Sequence, residues 1–251
     1  MTPTKNMKVQ VLGSSSEGNC YLLESSGDIL VIECGVQFAS VKKALNFDLS
    51  RVVGCIVTHE HRDHSRSLLD FQKYGINTFA VRQVYESHNV STRAFCNEIQ
   101  PLKRYKIGDF TVTTLPAFHD VPCLAFVISH KEMGNMLFAT DTMMLEHRVK
   151  GLNHVFIECN YCDEHLQRSI DEGHVPASMR PRLMQTHMEL KTTIKTLKAN
   201  DLSDVSEIVL LHLSNNNSDA DRFQSEVEKA TGKPTVIAKA GIEIELSDKP
   251  F

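Results

Sequence analysis

The chain has 251 residues, 41% of them hydrophobic and 23% charged, with a net charge of −4. That suits one α/β domain with a substantial core, and no apolar run approaches the roughly 18–20 residues that cross a bilayer. The acidic balance weighs against gripping long nucleic acid through a basic stripe, because such binding works by counterion release.

Taken in chain order, short apolar runs bounded by Gly, Asn, Asp and Ser predict strands over 8–12, 20–23, 29–33, 55–58 and 78–81. A second group is predicted over 110–115, 124–129, 136–139, 154–158, 208–212, 235–238 and 242–245. Between them, helical periodicity predicts helices over 38–46, 65–74, 83–91, 163–173, 190–199 and 219–231. No repeat, low-complexity tract or linker interrupts this order, so residues 1–251 are expected to form a single domain. About a dozen strands with interspersed helices predict an α/β fold in which two mixed sheets are each covered on the outer face by helices. The opening MTPTKNMKVQVLG lacks the regions of a secretory signal, and the expected location is the cytoplasm.

The seven cysteines, Cys20, Cys34, Cys55, Cys96, Cys123, Cys159 and Cys162, are scattered and odd in number. They are expected to be reduced thiols, mostly buried as small hydrophobes. Cys159 and Cys162 have the C-x-x-C spacing, but no second pair follows at zinc-ribbon distance, and a structural role is expected.

The stretch IVTHEHRDHS concentrates His59, His61, Asp63 and His64 immediately after an apolar β run. If the chain stays extended, His59, His61 and Asp63 project to one side and His64 lies where the next helix begins. This offers two neighbouring ligand sets on one strand-to-helix turn, unlike the helical H-E-x-x-H arrangement. Two ions need about seven or eight ligands. LPAFHD supplies His119, MLFATDT supplies Asp141 and IVLLHLS supplies His212, each after an apolar run whose end can converge on one sheet rim.

With these motifs in order, the chain resembles the metallo-β-lactamase-fold hydrolases from Lys8 to Leu246. The resemblance implies an αββα sandwich, with His59, His61 and His119 holding one ion and Asp63, His64 and His212 the other. Asp141 would bridge them, and an aspartate there points to the phosphodiesterase and nuclease branches. It implies two divalent ions, zinc for an imidazole-rich shell with manganese as the alternative. Asp63 would also orient the attacking water. His187, in MQTHMEL, resembles the histidine that tRNA-processing relatives place near the scissile phosphate, and Glu158 at a strand end would orient it. Ser14, Ser15 and Asn19, in GSSSEGNCY, are either a backbone nest that binds substrate phosphate or only a hairpin turn. One departure is Glu33 in IECG, where the family commonly has aspartate; another is the absence of a β-CASP insert or exosite arm.

Two branches are nearest. The YycJ/WalJ-like family of DNA exonucleases shares the opening LGSSSxGNCYLL and the ending HLSNNNSD. The viral anti-Pycsar enzymes are dimeric phosphodiesterases of cyclic nucleotides such as cCMP and cUMP, and would imply a homodimer in the host cytoplasm. The acidic charge and compact size favour a small 3′,5′-cyclic nucleotide over DNA or RNA, with no membrane partner. A non-catalytic metal-binding scaffold is the reading from another class; a missing ligand would mark it, and none is missing.

Overall fold

In a computed structural model, residues 7–90 and 94–246 are described. The opening residues 1–6 and Ser91, the last residue of one predicted helix, lie outside them. The first sheet consists of β1 (Met7–Ser15), β2 (Gly18–Glu24), β3 (Ile29–Ile32), β4 (Val52–Ile56), β5 (Thr78–Ala80) and β6 (Cys96–Glu98). The second runs through β7 (Arg104–Ile107), β8 (Phe110–Ala117), β9 (Cys123–His130), β10 (Gly134–Ala139), β11 (His154–Glu158), β12 (Glu207–Leu211) and β13 (Thr235–Ile237). The last strand, β14 (Glu243–Leu246), returns to pair with β1 and gives the first sheet its seventh strand. Each sheet is an antiparallel meander that turns parallel, at β3 in one and at β10 in the other.

Most of the parallel crossovers carry helices, the β10–β11 connection being the exception. In the first half these are α1 (Phe38–Ala44), α2 (Arg62–Ser65), α3 (Leu68–Lys73) and α4 (Arg82–Ser87). In the second half, α5 (Asp163–Asp171), α6 (Arg180–Thr186) and α7 (Leu190–Ala199) lie between β11 and β12, and α8 (Ala220–Thr231) follows β12. The molecule is thus two mixed sheets flanked by helices, as expected.

One core joins the inner faces of the sheets, uniting Val9, Leu30 and Ile56 with Phe126, Phe156 and Leu211. Tyr21 meets Phe138 edge to face across it, with ring centroids 5.2 Å apart. A second core, including Leu137, Ile157, Leu197 and Phe223, lies under α7 and α8. Such a double-sided burial explains why the central strands read as unbroken apolar runs.

The sequence reading missed β6, β7 and α6. β6 is a three-residue edge strand without alternation. β7 reads as a basic cluster because Arg104 and Lys106 face solvent on an edge strand while Ile107 is buried. α6 carries Pro181 in its first turn and follows Pro176, and prolines interrupt helical periodicity. The predicted helix over 65–74 is two pieces, α2 and α3. All seven cysteines are free and, Cys96 apart, buried.

Candidate metal centre

β4 ends at Ile56 and delivers Thr58 and His59 to the rim of the first sheet. The chain does not stay extended as far as Asp63: α2 begins at Arg62, so Asp63 and His64 both lie in its single turn. His61 is the residue before that turn, and its carbonyl accepts from His64 and Ser65. Glu33 N–H bonds Ile56 O, and Cys34 N–H bonds His64 O, which presses the β3–α1 turn against the ligand loop. Gly35 is required at that contact, since a Cβ there would lie 1.6 Å from the Asp63 carbonyl oxygen.

The second sheet contributes from separate strand ends. His119 follows β8, Asp141 follows β10, Glu158 ends β11 and His212 follows β12. The register pairs Ala139 with Ile157 and Glu158 with Leu211, so the parallel strands stop at one level and their next side chains meet. Asp141 and His212 have φ of 47° and 54°, as Glu33 has 66°. Left-handed backbone at a non-glycine residue costs on the order of 1–3 kcal/mol and persists only where its surroundings fix it.

The rim brings the predicted ligands into two sets that share Asp141: His59, His61, His119 and Asp141, and Asp63, His64, Asp141 and His212. Within each set the candidate ligand atoms lie within 4.8 Å of one another. Atoms bound about 2.0–2.2 Å from one ion must be within about 4.4 Å of each other, so small adjustments suffice. Asp141 Oδ2 lies 2.9 Å from His64 Nε2 and 3.5 Å from His59 Nε2, between the sets. His59 Nε2 and His212 Nε2 are buried without a hydrogen-bond partner among the described residues, a costly arrangement that a cation would relieve. The cluster therefore fits metal ions, in donor chemistry and in geometry.

Four of the five imidazoles are oriented from behind. Thr58 Oγ1 is 2.9 Å from His59 Nδ1, Glu33 Oε1 is 3.4 Å from His64 Nδ1, and the Thr186 carbonyl accepts from His119 Nδ1 at 2.9 Å. Asn160 Nδ2 lies 3.1 Å from His212 Nδ1 and donates to His212 O at 2.7 Å. Such contacts fix ring orientation and ligand basicity. Burial, and then the neighbouring charge of His64, holds His59 well below the usual histidine pKa, in the neutral form that ligates. Burial likewise lowers His119. At His212 burial opposes charge, but Asp141, Asp63 and Glu158 overcome it and raise the ring to about 10. A field that draws protons onto imidazoles is a field that attracts cations.

His187, the residue after α6, donates from Nδ1 to Glu158 Oε1 at 2.7 Å and stacks on His212 with ring centroids 5.4 Å apart. Glu158 is fully buried, and its Oε2 accepts from Thr142 N at 2.9 Å and Met188 N at 3.2 Å.

The GSSSEGN segment forms the β1–β2 hairpin turn, and Ser14 and Ser15 line a cavity beside it. Asn19 is fully buried, with Nδ2 on Ser15 O at 3.0 Å and beside His64 Nε2, so it cannot reach a substrate. Ser14 Oγ accepts from Tyr21 at 2.8 Å and from His212 N at 3.0 Å, and Ser15 Oγ accepts from Glu17 N. Glu33, one methylene longer than aspartate, still reaches His64 and lies 3.3 Å from Thr58 N.

Asp120 was missed although it sits inside the LPAFHD motif. Its Oδ1 is 3.2 Å from His119 Nε2 and 3.4 Å from His61 Nε2, and its Oδ2 accepts from Arg182 of α6 at 3.1 Å. Its signal was its place directly after a ligand. Asn160, two residues beyond Glu158, had the same kind of signal; the Thr186 carbonyl, a backbone group, had none.

A family model described as "Beta-lactamase superfamily domain" matches residues 29–213. The exodeoxyribonuclease YycJ of Bacillus anthracis is 25% identical over 224 residues, covering 83% of each chain. Among solved structures, the metallo-β-lactamase fold protein YhfI of Bacillus subtilis superposes with a TM-score of 0.75 at 19% identity, over 96% of this chain and 100% of that one. The short form of human tRNase Z superposes with a TM-score of 0.66 at 15% identity, over 96% and 99%.

Proposed function

The chain belongs to the β-lactamase superfamily, and from the two ligand sets on its rim we propose that it hydrolyses nucleotide phosphodiester bonds with two divalent ions, zinc first among them. His59, His61 and His119 would hold one ion, Asp63, His64 and His212 the other, and Asp141 both. When bound, such ions acidify water toward neutral pH and neutralise charge on a phosphoryl group. Asp63, 21% exposed at its side chain, is the ligand open enough to orient water as well. Because Glu158 engages Nδ1 of His187, Nε2 is left to give a proton to the departing oxygen, as a general acid does.

The observation that carries this reading is the buried Glu158–His187 pair at 2.7 Å, set beside the shared aspartate with His187 Nδ1 3.8 Å from Asp141 Oδ1. For the substrate, the net charge of −4 favours a 3′,5′-cyclic mononucleotide, which carries one negative charge and needs no phosphate-tracking surface. Likeness to an exodeoxyribonuclease along 83% of both chains supports a second reading, removal of terminal nucleotides from DNA. The deciding experiment assays purified protein side by side on cyclic mononucleotides and on end-labelled DNA and RNA across a salt series. Cyclic-nucleotide turnover that changes little with salt is expected. Digestion of DNA with an affinity slope of about −0.7 per phosphate contact on single strands, and no cyclic-nucleotide turnover, would select the exonuclease.

A further inference from the structure

A cleft of about 460 Å³ opens beside His187, on the side away from the first sheet. Its apolar wall is made by Met143, Met144 and Leu145, which follow Asp141, and by Met184 of α6. Met184 is 45% exposed and so open to a ligand entering the cleft. Glu189, the residue before α7, lines the same cleft. Its Oε2 caps the helix by accepting from Lys191 N at 2.6 Å and Thr192 N at 3.3 Å. Its Oε1 is buried with no hydrogen-bond partner among the described residues.

We propose that this cleft is the nucleobase subsite, in which the thioethers of Met143, Met144 and Met184 hold a planar ring and Glu189 Oε1 accepts from its N–H edge. Methionine suits the task because its polarisable sulfur makes favourable contacts with aromatic rings and its flexible stem adapts to different ones. A cleft of this size, with an apolar wall and polar groups such as Asp163, His187, Glu189 and Lys195 around it, is the usual form of a small-ligand site. A desolvated carboxylate oxygen without a partner is costly to keep, and a ligand N–H removes that cost. His187 forms a common wall, so a phosphodiester at the ligand rim and the base of the same nucleotide occupy adjoining spaces. The assignment rests on the reading of the centre as a nucleotide phosphodiesterase and names where its substrate's base goes.

The test follows the methyl signals of [¹³C-methyl]methionine in the zinc-loaded full chain while cytidine 5′-monophosphate or inorganic phosphate is added. The nucleotide should move the signals of Met143, Met144 and Met184 by its ring current, whereas those of buried Met7, Met133 and Met136 stay in place. Inorganic phosphate should leave all of them unmoved. Met184→Glu, at an exposed position that tolerates charge, and Glu189→Gln, which keeps an oxygen for the helix cap, should each weaken nucleotide binding about tenfold. Hydrolysis of nucleotides with all three cleft signals unmoved would overturn the subsite and leave the activity standing. Saturable shifts without any hydrolysis would keep the subsite and overturn the activity. Absence of nucleotide binding at millimolar concentration would overturn the subsite outright.

Discussion

The two halves of the centre are assembled by opposite means. The first sheet delivers His59, His61, Asp63 and His64 from a single loop and helical turn after β4. The second delivers His119, Asp141 and His212 one at a time, each from the end of a different strand. In the first half the ligands are neighbours in sequence, and the task of the fold is to aim them, through Glu33, Asn19 and Thr58. In the second half each ligand is aimed by its own strand, and the task is register, because a slip by one residue would turn the side chain to the other face. Ser14 ties the halves together by accepting from the backbone of His212 at the far rim. A local motif thus supplies most of the candidate ligands, while long-range topology places Asp141, the proposed bridge.

Removing the bridge should break both halves at once. Asp141→Ala is expected to lower hydrolysis by on the order of 10³-fold or more and to empty both sets, while far-ultraviolet circular dichroism stays native, because the cores do not depend on the rim. His61→Ala and Asp63→Ala should be as severe for activity but leave one set partly filled, which elemental analysis would resolve.

The next effect separates proton chemistry from metal binding. His187→Ala should reduce turnover by roughly 10²–10⁴-fold with metal content unchanged. Loss of metal in that variant would make His187 a ligand, a role its place beside Asp141, Glu158 and His212 would also permit. Glu158→Gln should reduce turnover in the same direction by less, since an amide still holds the ring.

A finer contrast lies behind the ligands. Asn19→Ala and Glu33→Gln should weaken the Asp63–His64 set by roughly 10–100-fold in metal affinity, whereas Asn160→Ala, behind a residue that its own strand already aims, should cost less. Equal losses across both halves, measured by chelator competition, would mean that aiming matters as much for strand-end ligands as for loop ligands. The smallest effect belongs to the tie between them: Ser14→Ala leaves His212 N–H without its acceptor and should cost about 1–3 kcal/mol in denaturant unfolding.

The same contrast governs what the sequence reveals. His59, His61, Asp63 and His64 announce themselves because one stretch holds them all. His119, Asp141 and His212 are legible only because apolar runs mark strand ends, and a motif already known tells which ends meet. Asp120 and Asn160 are harder: their only signal is nearness in sequence to His119 and Glu158, which does not say that the side chain turns back toward the centre. The serines of the first hairpin are ambiguous for a related reason, since a polar turn beside a rim looks the same whether it faces substrate or braces a strand. α6 was hidden by its prolines, and with it Arg182, which reaches Asp120, and Met184, which lines the cleft.

The most direct test of the two-set centre is the metal content of protein purified without chelator, measured beside its activity in EDTA. About two equivalents of zinc or manganese per chain, with hydrolysis abolished by EDTA and restored by adding the ion back, is the result expected from ligand sets joined at Asp141. A chain that binds no transition metal and keeps full activity in EDTA would contradict it.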